Sequence, residues 1–229
     1  VQNALFQLVK DRQLGEYKLP DSTVIVSAGN RLQDKAGANR VNTALGDRFI
    51  HLDFEPCPDE WVTWAKSSGK IMPEIIAYMR YRPENLFVFD KNARVNTTTR
   101  SWEYASRIMS ECPDSDIEHE LLSGTIGEGV SAELIGFLRT VRGLPSMDKI
   151  LNDPESLDTE SDPAILYAIT SIIARKMDKT NIDKFVKYLD TLPDEFAILC
   201  MTDAVESNPD IRKTKAFIDF DIKHQDITL

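Results

Sequence analysis

Apolar residues recur at helical spacing through most of the chain after residue 58. In three stretches they lie three or four positions apart, so that each stretch can place them on one face of a helix. The three predicted faces consist of Val130, Leu134, Phe137, Leu138 and Val141; of Ile165, Leu166, Ile169, Ile172 and Ile173; and of Ile182, Phe185, Val186 and Leu189. Thr180 and Asp183 have the spacing of a capping box before the third helix. We therefore predict an almost wholly helical structure beyond the break at residues 56–58.

The first 54 residues have a different pattern, in which helices and strands alternate. Apolar positions within residues 1–9 predict an initial helix, and residues 14–21 carry turn residues. The β-branched run over residues 23–28 predicts a strand that is buried on both faces, and residues 49–54 form a second candidate strand. Because the chain starts without methionine inside the predicted helix, we expect it to be part of a longer polypeptide.

Composition and charge narrow the classes of function. The 229 residues carry a formal charge of −10 with a pI near 4.9, which disfavours nucleic acid as a partner because phosphate backbones repel an acidic surface. No apolar run reaches the roughly 20 residues of a membrane helix, and the start has no signal-peptide pattern. The three cysteines and three histidines are scattered, so neither a disulfide framework nor a metal site is predicted. We expect a reduced, cytoplasmic compartment.

Three polar positions carry candidate chemistry, and the first is Asn30. It follows the first predicted strand, and in α/β sheets the carboxyl ends of strands face the ligand crevice. A side-chain amide at that place can hold a water molecule against a phosphate oxygen. The alternative is that Asn30 is only a turn residue, which is common after glycine.

The other two candidates are arginines. Arg48 stands between a predicted helix and the second candidate strand, where its planar charged group could reach a neighbouring subunit and stabilise phosphoryl transfer. An ion pair with Asp47 or another surface carboxylate is the alternative. Arg100 follows three threonines that can cap a helix, which places it in or near the first turn. A bound anion would account for an arginine there, because the helix dipole does not favour it, and a solvated arginine is the alternative.

The order of these segments resembles MoxR-like AAA+ ATPases of bacterial or phage type, read from just after their Walker B motif. Residues 1–5 and 14–17 resemble the helix and the turn that follow Walker B in that family. Asn30 matches the first-sensor asparagine at the end of a strand, and residues 48–49 match the Arg-Phe pair before the last strand. Arg100 matches the arginine of the lid, although Thr99 replaces the usual proline before it.

The resemblance extends to about residue 150 and implies a fold. It is an α/β remnant, the last strands of a AAA+ core over residues 1–56, followed by a mostly helical lid over residues 57–150. A helical carboxyl-terminal extension over residues 151–229 is predicted from periodicity alone. Residues 73–84 of the lid resemble bacterial and phage members of the family most closely, and the acidic, proline-bounded residues 152–163 predict a hinge.

The resemblance also implies an activity. The family hydrolyses ATP with Mg²⁺ between the subunits of a homo-oligomeric ring, commonly a hexamer, and couples hydrolysis to the remodelling of a protein substrate. In that scheme Asn30 would position the lytic water, Arg48 would act in trans as an arginine finger, and Arg100 would sense the γ-phosphate.

One essential part of such an enzyme is absent from these 229 residues. They contain no G-x-x-x-x-G-K-[ST] motif and no strand that ends in paired acidic residues before the first helix. We therefore expect the chain to need a P-loop half, on the same or another polypeptide, and to hydrolyse no ATP by itself. Without that half, each predicted strand would expose an unpaired edge. The alternative is a non-catalytic helical module, in which residues 59–229 bind a protein partner and the arginines are surface charges.

Overall fold

The computed structural model describes residues 2–29, 43–112, 117–144 and 162–225, with the side chains of residues 2–4 left aside. The described chain is mostly helical and contains one small sheet. It divides into two compact units, which are described separately. Unit 1 is Val1–Glu55 with Phe89–Asn92, and unit 2 is Pro56–Val88 with Ala93–Leu229. The predicted combination of a small α/β part and a larger helical part is confirmed at this coarse level.

The described residues of unit 1 form two helices and a short hairpin. Helix α1 spans Gln2–Asp11, strands β1 and β2 are Gln13–Leu14 and Tyr17–Lys18, and helix α2 is Thr43–Gly46. The strands are antiparallel, and Gly15 in the turn between them has a φ of 60°, which glycine adopts without steric cost. The guanidinium of Arg12 donates to the carbonyls of Pro20 and Thr23 at 2.9 and 2.5 Å, so it fixes the chain that follows the hairpin. Helix α1 confirms the initial helix that was predicted within residues 1–9.

The two strands that the sequence predicts at residues 23–28 and 49–54 are not present, so this part of the prediction is wrong. Both segments lack regular secondary structure, and no backbone hydrogen bond joins residues 24–29 or 50–54 to another described residue. The first segment was predicted to be buried on both faces, yet Val24 and Val26 are exposed. A strand needs a neighbouring strand to receive its backbone hydrogen bonds, and the described chain offers these segments none.

The described part of unit 2 consists mainly of helices. They are α3 (Pro58–Ser68), α4 (Pro73–Tyr81), α5 (Thr99–Glu111), α6 (Glu118–Ile126), α7 (Glu128–Arg142), α8 (Pro163–Lys176), α9 (Ile182–Leu189), α10 (Asp194–Ser207) and α11 (Lys215–Lys223), with 3₁₀ turns at Pro83–Leu86 and Pro209–Lys213. Pro58, Pro73 and Pro163 each occupy the first helical position, where the missing N–H costs no hydrogen bond. Gly69 ends α3 in the left-handed conformation with a φ of 64°.

The buried side chains of unit 2 form two hydrophobic clusters that meet at α8. In the first cluster, built mainly from α3 to α7, Tyr78 packs against Trp102 and Phe137 with ring centroids 5.7 and 5.4 Å apart. The second cluster is built from α8 to α11 and includes Phe185 and Tyr188. Helix α8 packs on both α4 and α10, so it joins the two halves of the unit. Within the described ranges, no helix is both long enough and apolar enough to cross a lipid bilayer.

The three apolar faces predicted from periodicity are confirmed. All five residues of the α7 face are buried, and the faces of α8 and α9 are buried except for partly exposed Ile165, Ile172 and Val186. Helical spacing predicts these faces because side chains three or four positions apart lie on the same side of a helix and pack against the same neighbouring element.

Of the two predicted helix caps, one forms and one does not. Thr98 caps α5: its hydroxyl accepts from the amide of Ser101 at 3.2 Å, and the Ser101 hydroxyl accepts from the amide of Thr98 at 2.8 Å. The capping box of Thr180 and Asp183 is wrong, because α9 begins one residue later, after Asn181, without a side-chain cap. The carboxylate of Asp178 instead accepts from the amide and the hydroxyl of Thr180, at 2.7 and 2.6 Å. The predicted hinge at residues 152–163 lies almost wholly outside the described residues.

Candidate functional site

The predicted first-sensor residue, Asn30, lies outside the described residues, so its role stays a prediction. The chain that leads to it is described as far as Gly29 and does not form the strand that would aim the amide at a ligand crevice.

Arg48 is exposed in unit 1, two residues after α2. Its guanidinium donates to the carbonyl oxygen of Ala44 and lies over the ring of Phe6, 4.6 Å from the ring centroid. A cation over an aromatic face is attracted by the ring quadrupole, so both contacts hold the side chain against α1 and α2. Arg48 forms no ion pair with a described carboxylate, so the alternative pairing with Asp47 is absent from this structure.

Arg100 occupies the second position of α5 and is exposed, which confirms its predicted place in the first turn. The cap formed by Thr98 and Ser101 satisfies the first amide groups of the helix without using Arg100. No described side chain pairs with the guanidinium. Arg48 belongs to unit 1 and Arg100 to unit 2, so they do not form a common site within either unit.

A group of four charged side chains in the described part of unit 2 was not predicted from the sequence. Its centre is the carboxylate of Asp203 on α10, which Arg80 of α4 contacts through two hydrogen bonds of 2.5 and 2.9 Å. Lys66 of α3 contacts the same carboxylate at 2.9 Å and that of Glu206 at 2.5 Å. The side chains of Asp203 and Arg80 are only 8% and 13% exposed. We refer to these four residues as the ion cluster.

The ion cluster controls the charge of its central carboxyl group. Burial raises the pKa of Asp203, but the hydrogen bonds and charges of Arg80 and Lys66 outweigh burial and hold the pKa below its ordinary value. Asp203 is therefore ionised at neutral pH and accepts from both cations. Because removing one partner of a buried ion pair leaves the other uncompensated, the cluster ties α10 to α3 and α4.

A cavity of about 120 Å³ lies beside the ion cluster, between α3, α4, α8 and α10. Its apolar wall includes Ile71, Pro73 and Ile76. Its polar wall includes Ser171 and Arg175 of α8, together with Lys66, Asp203 and Ser207. This is the place in unit 2 where a pocket and several charged groups coincide.

Sequence reasoning missed the ion cluster because its members lie far apart in the chain, 123 residues between Arg80 and Asp203 and 137 between Lys66 and Asp203. One local signal was available. Phe196, Cys200 and Asp203 are spaced to share one helical face, and the first two are apolar and buried. A carboxylate at a position where periodicity requires an apolar side chain indicates a buried partner, although it does not identify that partner.

Comparisons with known proteins found no matching protein-family model, no matching curated protein and no matching solved structure.

Proposed function

We propose that this chain is the lid-bearing part of a AAA+ remodelling ATPase, completed by a nucleotide-binding part that carries the P-loop and the Walker B residues. One observation supports this proposal above the others. Five apolar side chains in the two segments that were predicted as strands, Val24, Val26, Ile50, Leu52 and Phe54, are 82–91% exposed. Ile50, Leu52 and Phe54 occur at alternate positions, as in a strand that places one face against a core, whereas Val24 and Val26 belong to the continuous apolar run of a strand predicted to be buried on both faces.

The exposure of these side chains is costly. Burying one large apolar side chain stabilises a protein by about 1.5–3 kcal/mol, so covering all five would contribute on the order of 10 kcal/mol. Neighbouring strands would also supply the hydrogen bonds that the backbone of residues 24–29 and 50–54 lacks. In the proposal, the nucleotide-binding part provides those strands, and Asn30 then stands at the carboxyl end of a completed strand.

The surroundings of Arg48 agree with a role across a subunit boundary. The contacts with Ala44 and Phe6 restrain the side chain, yet the residue is exposed and has no carboxylate partner among the described residues. A restrained, exposed guanidinium is suited to meet a phosphate that another subunit presents. Arg48 then serves as the arginine finger.

The surroundings of Arg100 agree with a role in the lid. The residue lies in the first turn of α5, where the helix dipole is positive and backbone amides attract anions. Its guanidinium is exposed and unpaired among the described residues, so it can follow the γ-phosphate when the lid approaches. ATP and Mg²⁺ would be held by the P-loop part, and the chain contributes Asn30, Arg48 and Arg100 around the phosphates.

The assembly that follows from this proposal is a homo-oligomeric ring, commonly a hexamer in the family, which acts on a protein substrate. Each active site then needs a P-loop from one subunit and an Arg48 from its neighbour. This dependence between subunits provides the test.

The experiment uses the complete protein, in which this chain and its nucleotide-binding part are both present, and measures ATP turnover. Replacing Arg48 with Ala should lower turnover by on the order of 10³ or more, because an arginine finger contributes that much to phosphoryl transfer. The matched control is Arg107→Ala, which removes an exposed arginine of α5 and should leave turnover nearly unchanged. Mixed with subunits that lack only a Walker B carboxylate, Arg48→Ala subunits should regain part of the activity.

Two outcomes contradict the proposal. If Arg48→Ala subunits keep full turnover, the residue is an ordinary surface arginine. If mixed rings form and the two defects never complement each other, Arg48 does not act in trans. A complete protein that neither contains a P-loop nor hydrolyses ATP would favour the alternative, a non-catalytic helical module that binds a protein partner.

A further inference from the structure

The cavity beside the ion cluster has a buried hydroxyl group with no partner. Ser171 lies in the middle of α8, is 92% buried, and its Oγ has no hydrogen bond with any described residue. The neighbouring Thr170 behaves differently, because its hydroxyl donates to the carbonyl of Leu166 at 2.7 Å. A buried polar group is normally hydrogen-bonded, and Ser171 is one of the residues that line the cavity, so its unpaired hydroxyl points to a polar ligand.

The charge at the cavity favours an anion. Lys66 and Arg80 are balanced by Asp203 and Glu206 within the ion cluster. Arg175 is the one charged residue of the cavity wall without an ion pair among the described residues.

The carboxyl-terminal ends of the neighbouring helices reduce the positive charge at the cavity only partly. The carbonyl ends of α3 and α8 carry partial negative charge near the cavity. Lys66 lies in the last turn of α3, and Lys176 lies beside Arg175 in the last turn of α8, so both offset those ends. The guanidinium of Arg175 therefore remains available to a ligand.

The size and the apolar wall of the cavity define the rest of the ligand. Ile71 and Ile76 are almost completely buried, which places apolar surface at the inner side, whereas Arg175 is exposed and lies at the mouth. An apolar cavity of about 150 Å³ can hold a benzene molecule, so the 120 Å³ here suits a ligand of about five or six non-hydrogen atoms.

We infer that this cavity binds a short aliphatic monocarboxylate. The alkyl chain packs against Ile71 and Ile76, and the carboxylate accepts hydrogen bonds from the Ser171 hydroxyl and the Arg175 guanidinium. Propionate and butyrate have the required size and charge. The site lies entirely within unit 2 and is independent of the nucleotide chemistry proposed above.

The test titrates the 229-residue chain with butyrate and follows binding by calorimetry and by NMR of the backbone amides. We expect saturable binding with a Kd on the order of 1 mM or tighter, as is reasonable for so few atoms. The amide signals of α8 and of the connection between α3 and α4 should shift. Butyramide has the same shape without the charge, and we expect it to bind at least tenfold more weakly.

Matched variants on α8 identify the residues responsible. Arg175→Gln should weaken butyrate binding at least tenfold, whereas Lys176→Gln, the adjacent exposed residue outside the cavity wall, should change it less than twofold. Ser171→Ala should weaken it several-fold while the chain keeps its helical circular dichroism. Both α8 substitutions at exposed positions leave the core untouched, so a failure to fold does not obscure the result.

A peptide glutamate has the same chemistry as propionate and forms the second arm of the titration. If glutamate capped at its α-amine and α-carboxyl groups binds more tightly than butyrate, the carboxylate comes from a polypeptide and the assignment to a free acid is overturned. The inference as a whole fails if no carboxylate saturates the cavity at 20-fold the expected Kd, or if Arg175→Gln and Lys176→Gln have equal effects.

Discussion

Unit 1 and unit 2 belong to one chain, yet they differ in the burial of their apolar side chains. Unit 2 buries most of its large apolar residues in two clusters, whereas Leu45 is the one buried hydrophobic residue of unit 1 among the described residues. Five apolar residues of unit 1 remain more than four-fifths exposed in the segments at residues 23–28 and 49–54.

The difference follows from where each kind of element finds its hydrogen bonds. A helix satisfies its backbone groups within itself, so the helices of unit 2 need only a neighbour for their apolar faces. A strand satisfies its backbone groups through another strand, and two short segments cannot form a stable sheet alone. In unit 1, the segments at residues 24–29 and 50–54 therefore have neither backbone partners nor apolar cover among the described residues.

The largest expected effect is in amide hydrogen exchange of the 229-residue chain. Amides of residues 24–29 and 50–54 should exchange at nearly the rate of an unfolded peptide, because no backbone hydrogen bond protects them. Amides in the middle of α4 and α8 should exchange at least about 10³ times more slowly, since they open only with much of unit 2. Equal protection of both regions at low protein concentration would contradict the comparison, because it would mean that the two segments form strands by themselves.

The second largest expected effect is a difference in the free energy of unfolding between two aromatic substitutions. Trp102 is fully buried, its indole N–H donates to the carbonyl of Asn85 at 3.2 Å, and Trp102→Ala should lower the free energy of unfolding by about 3–5 kcal/mol. Phe54 is 91% exposed, and Phe54→Ala should change the free energy of unfolding by less than about 0.5 kcal/mol. Urea denaturation of both variants measures the contrast. A cost above about 1 kcal/mol for Phe54→Ala would place that ring in a packed environment.

The smallest effect concerns the ion cluster and depends on pH. Asp203→Asn should lower the free energy of unfolding by about 2 kcal/mol at pH 7, because it weakens hydrogen bonds from two partly buried cations. The folded-state pKa of Asp203 lies below its ordinary value of 3.8, so its stabilisation is present above about pH 4 and is lost as the pH falls through the folded-state pKa. The difference in urea midpoint between the wild type and Asp203→Asn should therefore be smaller at pH 3 than at pH 7.

Asp210 provides the control for that measurement. Lys213 and Lys179 lower its pKa to about 2, yet its side chain is half exposed and solvent screens the charges. Asp210→Asn should therefore change the urea midpoint at pH 7 much less than Asp203→Asn. If the two variants have equal effects, burial does not strengthen the ion cluster, and its role in joining α10 to α3 and α4 is wrong.

The predicted helix faces and helix caps agree or disagree with the structure for physical reasons that differ from one element to the next. The faces of α7, α8 and α9 were predicted because helical periodicity is a local property of the chain. A cap of α5 was predicted among the threonines at residues 97–99 and forms at Thr98, whereas the box at Thr180 failed because the Asp178 carboxylate accepts from the Thr180 amide and hydroxyl instead. A capping box and the hydrogen bonds of Asp178 each provide an acceptor for an amide near the start of a helix, and local residue spacing does not decide which of the two forms.

The sequence by itself determined the apolar faces of α7, α8 and α9, the place of Arg100 at the start of α5, and the absence of a P-loop motif from these 229 residues. These properties depend on residues a few positions apart. Only the tertiary structure decided that Lys66, Arg80 and Asp203 meet, that Ser171 and Arg175 line a cavity, and that the two strand-like segments lack a partner. Each of these results depends on contacts between segments far apart in the chain, whose free energy is realised only when helices pack together or a strand finds a neighbour.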